Sequence, residues 1–128
     1  MIYLDTSVAL AHLLGEDRQL RPELWRESLV SSRLLVYELW TQVHARKLAE
    51  AYSPFVQALL EPIALLELSP TVVERALDPF PLSLRTLDTL HLASALYLVK
   101  RGEELSLATF DVRMARAATL LGIRLFDV

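Results

Sequence analysis

The chain has 128 residues, of which 53% are hydrophobic, a formal net charge of −3 and no cysteine. Its length suits one domain, residues 1–128, with a sizeable core, and it contains neither the ~18-residue apolar run of a membrane span nor the basic leading segment of a secretory signal. The slight acidity argues against a protein that holds nucleic acid mainly through a basic surface, and the lack of cysteine excludes disulfides, thiol catalysis and cysteine-ligated zinc while agreeing with a cytoplasmic location.

Strand and helix signals alternate along the first half of the chain. An apolar strand comes first, and Thr6 or Ser7 is suited to cap the helix after it. Gly15 is suited to end that helix, and Pro22 to stand in the first turn of the next one. The elements predicted here are the strand Ile2–Leu4, the helix Val8–Leu14, a turn at Gly15–Asp17, the helix Pro22–Glu27, a short strand or extended link at Leu29–Ser31 and the helix Arg33–Ala51.

The second half repeats the alternation. Serine followed by proline marks two helix starts, at Ser53 and Ser69, because serine caps a helix and proline is tolerated in its first turn. The elements predicted here are helices over 53–60, 69–77, 84–100 and 112–121 and strands over 63–68, 105–109 and 123–126. Strands separated by helices indicate an α/β fold with a parallel sheet, and right-handed crossovers place helices on both of its faces.

Four of the sixteen acidic residues lie within apolar segments, whereas most of the others stand in turns or among charges that suit a solvated surface. They are Asp5, Glu38, Asp88 and Asp111. Asp5 and Asp111 each follow a predicted strand, so both belong at the carboxyl edge of the sheet, where open α/β folds bind ligands. Asp88 falls near the start of its helix, where a carboxylate also suits the helix dipole.

Other roles for these carboxylates remain open at this point. Asp5 and Asp111 are suited to cap the helices behind them. Glu38 could pair with Arg46 or Lys47, or point to solvent. As a converging set, however, the four carboxylates would repel one another and need cations to stabilise them.

Oxygen ligands of this kind suit hard cations, and the expected cofactor is Mg²⁺ or Mn²⁺. Such a cation lowers the pKa of a bound water and holds a phosphate oxygen. The reaction class that follows is phosphodiester hydrolysis with water, not a side chain, as the nucleophile.

The segments that carry these acids resemble the PIN-domain family, particularly the ribonuclease toxins of the VapBC toxin–antitoxin type. The resemblance covers the chain nearly from end to end and keeps the order of four motifs. They are Leu4-Asp5-Thr6-Ser7, Tyr37-Glu38-Leu39, Leu87-Asp88-Thr89-Leu90-His91-Leu92-Ala93-Ser94-Ala95 and Ala108-Thr109-Phe110-Asp111.

The resemblance implies a three-layer α/β/α sandwich and a magnesium- or manganese-dependent endoribonuclease. It also implies an RNA substrate, a homodimer and inhibition by a cognate antitoxin protein. By position, the family's acidic quartet falls on Asp5, Glu38, Asp88 and Asp111, and its supporting hydroxyls on Ser7 and Thr109.

Several neighbouring side chains have a functional and a structural interpretation. Arg85 is one helical turn before Asp88, so it could hold a substrate phosphate or be a surface arginine. Arg113 and Arg116 could line the RNA path, although exposed helix arginines are the preferred interpretation. His91 could be a ligand or proton shuttle, but a packed histidine on an apolar helix is preferred.

Two other functions compete with a toxin. One is a PIN-type nuclease of RNA processing without a toxin role. The other is a magnesium-binding receiver domain of signalling, which needs an acidic pair after its first strand and an aspartate after its third. Here Asp5 has no adjacent acid, and Ser69 follows the strand predicted over 63–68.

Overall fold

The computed structural model describes residues 1–16 and 20–128, so Asp17 of the predicted turn lies outside the described residues. Five parallel strands form one sheet in this part of the chain. They are β1 (Ile2–Leu4), β2 (Leu29–Ser32), β3 (Ala64–Leu66), β4 (Ser106–Ala108) and β5 (Arg124–Leu125). The predicted α/β fold with a parallel sheet is confirmed, and each predicted strand is present with ends that differ by up to two residues.

Helices cover both faces of this sheet. They are α1 (Thr6–Leu13), a 3-10 helix (Pro22–Arg26), α2 (Arg33–Ala45), α3 (Ala49–Leu60), α4 (Pro70–Leu77), α5 (Thr86–Lys100) and α6 (Val112–Leu120). Successive side chains of a strand point to opposite faces. Ile2 and Leu4 therefore pack in one core with α1, α2 and α3, while Tyr3 packs in a second core with α5 and α6. These two cores give the predicted three-layer sandwich.

The predicted helix Arg33–Ala51 is wrong at its C-terminal end. The chain leaves the helix and passes through Lys47, whose φ of 56° lies in the left-handed region. A new helix then begins at Ala49, so the predicted start at Ser53 is also wrong, and Pro54 lies inside that helix. Pro54 stands beyond the first turn, so the helix lacks the backbone hydrogen bond that an N–H at this position would donate to the carbonyl oxygen of Glu50.

The strand order is β3-β2-β1-β4-β5. After β1 the chain adds strands on one side, and it then crosses to the other side of β1 to form β4. In open α/β sheets, ligands bind outside the carboxyl ends of the strands at such a switch point. Asp5 and Asp111 follow the two strands that meet there.

The same order bears on the receiver-domain alternative. Receivers have the flavodoxin-like order 2-1-3-4-5, whereas this sheet has the order 3-2-1-4-5. The receiver interpretation is therefore wrong.

Within residues 1–16 and 20–128, every helix is too short or too polar to cross a membrane.

Candidate functional site

Asp5 links the end of β1 to the start of α1. Its side chain is the N-cap of α1, so the predicted caps Thr6 and Ser7 are wrong. Oδ2 of Asp5 accepts hydrogen bonds from Ser7 Oγ at 2.7 Å and Thr109 Oγ1 at 2.8 Å, and a longer one from Ser7 N at 3.4 Å. Oδ1 accepts none from the residues that the structure describes. Asp5 is only 4% exposed, and its second oxygen keeps the capacity to act as a ligand.

Thr109 connects Asp5 to Asp111. Its hydroxyl donates to Asp5 and accepts from the backbone N–H of Asp111 at 3.0 Å. Asp111 is the N-cap of α6, since its Oδ1 accepts from Met114 N at 3.0 Å. The structure thus joins two carboxylates 106 positions apart through one hydroxyl group, and the predicted supporting residues Ser7 and Thr109 both contact Asp5.

Asp88 lies in the first turn of α5 and is paired with Arg85. The guanidinium Nε of Arg85 donates to Asp88 Oδ2 at 3.2 Å, and Nη2 donates to Asp111 Oδ2 at 3.4 Å. Burial raises the pKa of Asp88, the Arg85 guanidinium opposes that change, and the negative charges of Asp111 and Asp5 add to the rise. Asp5, Asp88 and Asp111 therefore share one negative field that Arg85 only partly neutralises.

Glu38 has a different set of partners. Its Oε1 accepts from Thr6 Oγ1 at 3.0 Å and lies 2.6 Å from Nε2 of His91. Pairing with Arg46 or Lys47 is therefore wrong. His91 is 1% exposed, as the preferred interpretation of a packed histidine requires, but it is also fully engaged in polar contacts.

Glu38 and the pair Asp88 and Asp111 open onto separate surface depressions, and the buried Asp5 lines neither of them. The aspartate-lined depression has a volume of about 380 Å³, and the depression beside Glu38 has about 240 Å³. The first is lined by Ser83, Leu84, Arg85, Asp88, Asp111 and Arg113. The structure therefore brings together three members of the predicted quartet and places the fourth beside them without a direct contact among the described residues.

The basic residues differ in their contacts. Arg85 is 82% exposed at its side chain and bridges two carboxylates. Arg113 lines the same depression and donates to the carbonyl oxygen of Ser83 at 2.8 Å. Arg116 is exposed. Arg85 and Arg113 are thus the cations placed beside the aspartates.

The aspartate cluster has the donor chemistry of a site for a hard cation, although its side chains do not form a ready coordination shell. Among residues 1–16 and 20–128, no three His, Asp or Glu side chains stand in an arrangement that could hold a metal ion. Burial, with a smaller contribution from the charges of Asp111 and Asp5, nevertheless raises the pKa of Asp88 and so disfavours its negative charge. A divalent cation bound by carboxylate oxygens would compensate that charge, so the residues fit the cation in chemistry.

Sequence reasoning missed Tyr3 and Thr6, both of which contact His91. The alternation of β1 could have placed Tyr3 on the α5 side of the sheet. Its contact with His91 had no sequence signal, because the two residues are 88 positions apart.

A family model described as the PIN domain matches residues 2–120. No curated protein and no solved structure matches the chain. PIN domains are typically nucleases and generally use divalent metals. The match includes all four acidic positions and confirms the family part of the resemblance, while the toxin subtype stays a prediction.

Proposed function

We propose that this chain, which belongs to the PIN domain family, is a single-domain, metal-dependent endoribonuclease that hydrolyses RNA phosphodiester bonds. The observation that carries the proposal is the meeting of Asp5, Asp88 and Asp111 at the switch point of the sheet. Burial and mutual repulsion raise the pKa of Asp88 there. Perturbed carboxylates in a surface depression are typical of functional sites.

Each residue has a proposed task in this site. Asp5, Asp88 and Asp111, with Glu38 beside them, would hold Mg²⁺ or Mn²⁺. When bound, the cation supplies a Lewis acid for water and for a phosphate oxygen. Ser7 and Thr109 hold Asp5 in place through its Oδ2.

Arg85 has two proposed tasks, one before the cation binds and one when the substrate is bound. Without a cation it neutralises Asp88 and Asp111. Its high exposure leaves the guanidinium able to turn towards a substrate phosphate, for which the fork of N–H donors is well suited. Arg113, in the same depression, supplies a second positive charge for the RNA backbone.

Cleavage of RNA by the purified chain tests this function. We expect cleavage with Mn²⁺ or Mg²⁺, none with EDTA, and a loss of at least ~100-fold for Asp5→Asn and Asp88→Asn, since even outer-shell changes cost about 10–100-fold. The matched control is Asp78→Asn, at an exposed aspartate after α4. Cleavage that persists in EDTA would refute the metal mechanism.

Within this function we place the chain as the toxin of a VapBC-type pair, acting in the cytoplasm as a homodimer and inhibited by a cognate antitoxin. Exposed apolar side chains support a protein partner, notably Tyr37 at 64% and Phe55 at 63% exposure. Phe55 also lines an apolar groove of about 380 Å³ with His12 and Trp25.

Expression in cells separates the toxin from a nuclease of RNA processing. A toxin arrests growth, the arrest disappears with Asp88→Asn, and co-expression of the neighbouring gene relieves it. RNA cleavage in vitro without growth arrest in vivo favours the processing nuclease.

A further inference from the structure

We propose that His91 is a positioning residue that fixes the side chain of Glu38, and that Tyr3 determines which ring nitrogen of His91 carries the proton. This inference rests on the proposed function in one respect, the role of Glu38 beside the metal. The contacts themselves are independent of that role.

Four elements contribute one side chain each to this network. Tyr3 comes from β1, Thr6 from α1, Glu38 from α2 and His91 from α5. Tyr3 OH lies 2.8 Å from Nδ1 of His91, while Nε2 lies 2.6 Å from Glu38 Oε1 and 3.2 Å from Thr6 Oγ1. Tyr3 is completely buried and His91 almost completely, so neither can exchange its partner for water.

Tyr3 sets the direction of each hydrogen bond in the proposed network. Tyr3 is completely buried, and its phenolic hydroxyl lies within hydrogen-bond distance of Nδ1 of His91. In the proposed network its O–H donates to Nδ1 of His91, which leaves the ring proton on Nε2. That N–H donates to Oε1 of Glu38.

Glu38 is therefore held in the same way as Asp5. One carboxylate oxygen, Oε1, accepts from both His91 and Thr6. The other oxygen, Oε2, accepts no hydrogen bond from the residues that the structure describes. Fixing one oxygen orients the other, as outer-shell partners do for carboxylates that bind metals.

Two substitutions at His91 separate positioning from packing. The amide nitrogen in His91→Gln reaches the place of Nε2 and keeps a donor for Glu38, whereas that in His91→Asn is too short to do so. Free Mn²⁺, measured by electron paramagnetic resonance without RNA, gives the affinity. We expect near wild-type affinity for His91→Gln and about 10-fold weaker binding for His91→Asn, at similar thermal stability. Equal affinities of the two folded variants would overturn the proposal.

Nitrogen-15 NMR of the histidine rings tests the same proposal without metal. We expect His91 with a protonated Nε2 and an unprotonated Nδ1, and a shift towards mixed tautomers in Tyr3→Phe. The exposed rings of His12 and His44 serve as internal comparison. A protonated Nδ1 in the wild type, or unchanged His91 shifts in Tyr3→Phe, would overturn it.

The two measurements keep this inference apart from the proposed function. If Asp88→Asn binds Mn²⁺ as tightly as the wild type, the proposed metal function fails, and the NMR result alone decides whether His91 holds Glu38. If Asp88→Asn loses Mn²⁺ binding but His91→Asn does not, the metal function stands and the positioning role fails.

Discussion

At the scale of single residues, Asp88 carries a negative charge that its surroundings in the fold disfavour. Burial and the charges of Asp111 and Asp5 favour its protonated form, and the exposed Arg85 compensates only in part. A charge that costs stability where it is held is expected at a site that binds a cation, because function and stability commonly conflict there.

Removing the charge of Asp88 should change how the free energy of unfolding depends on pH. Because the pKa of Asp88 is raised in the folded protein, the folded state binds a proton more readily than the unfolded chain. The Asp88 charge lowers the free energy of unfolding by its full amount when the pH is above the pKa of Asp88 in the folded protein. This cost vanishes as the pH falls below the pKa of the same group in the unfolded chain. In EDTA, Asp88→Asn should therefore raise the free energy of unfolding at about pH 7 by roughly 0.5–1 kcal/mol, with partial solvent screening limiting the gain.

Urea unfolding of both proteins at about pH 7 and about pH 3 measures this difference. The gap between the variant and the wild type should close at the lower pH, where the carboxyl is protonated in both states. If the difference in free energy of unfolding between the variant and the wild type widens on acidification, the pKa of Asp88 is not raised in the folded protein. Asp78→Asn again serves as the control.

The residues of the site differ in how far the sequence could reveal them. Asp5 and Asp111 were predictable at one sheet edge, because each follows an apolar strand. The contact between His91 and Glu38 was not, since nothing in the sequence fixes how α5 lies against α2. Arg85 was predictable as a neighbour of Asp88 but not as a bridge to Asp111, 26 positions away.

At the scale of elements, α6 depends on the same carboxylate that the site uses. Oδ1 of Asp111 caps the helix through Met114 N, while Oδ2 contacts Arg85. Helix capping and the proposed ligand binding are thus compatible in one side chain, because each oxygen has its own contact.

Two substitutions separate these tasks. Asp111→Ser keeps a good N-cap but removes the charge, so stability should stay within about 0.5 kcal/mol of the wild type while Mn²⁺ binding and cleavage fall. Asp111→Ala removes both the N-cap and the charge. It should therefore weaken Mn²⁺ binding and cleavage and also lower the free energy of unfolding by about 1 kcal/mol or more. Urea unfolding and Mn²⁺ titration of both variants measure the two effects. Wild-type cleavage by Asp111→Ser would reduce Asp111 to a cap alone.

Element boundaries were less predictable than element types. The apolar pattern of α2 continues through Leu48, so the pattern alone could not show the break at Lys47. A left-handed lysine is unfavourable by itself and is imposed here by the packing of α3 against α2. Serine before proline predicted the start of α4 correctly, where Ser69 caps the helix, and failed at Ser53.

At the scale of the whole molecule, the sheet order determines which chain segments meet. Alternating strand and helix signals were enough to predict a parallel α/β fold. They could not predict that β4 joins β1 on the side opposite to β2, which is a choice of tertiary packing. The meeting of Asp5 and Asp111 depends on that choice.

Metal binding should stabilise the whole fold, because a ligand that binds only the folded state adds to the free energy of unfolding. At a Mn²⁺ concentration 100 times its Kd, the expected gain is about 2.7 kcal/mol. Differential scanning calorimetry should show a rise in Tm for the wild type and none for Asp88→Asn. An equal rise in both proteins would place the ion elsewhere.

The position of β1 in the middle of the sheet has a consequence for synthesis on the ribosome. β1 emerges first, but its register with β4 pairs Tyr3 with Leu107, and Asp5 receives its second hydroxyl donor from Thr109. A nascent chain that ends before β4 has Asp5 and its first hydroxyl donor, Ser7, but lacks the neighbouring strand β4 and the second donor, Thr109. The site that we propose to be catalytic therefore cannot form on a nascent chain until β4 and Thr109 have left the exit tunnel.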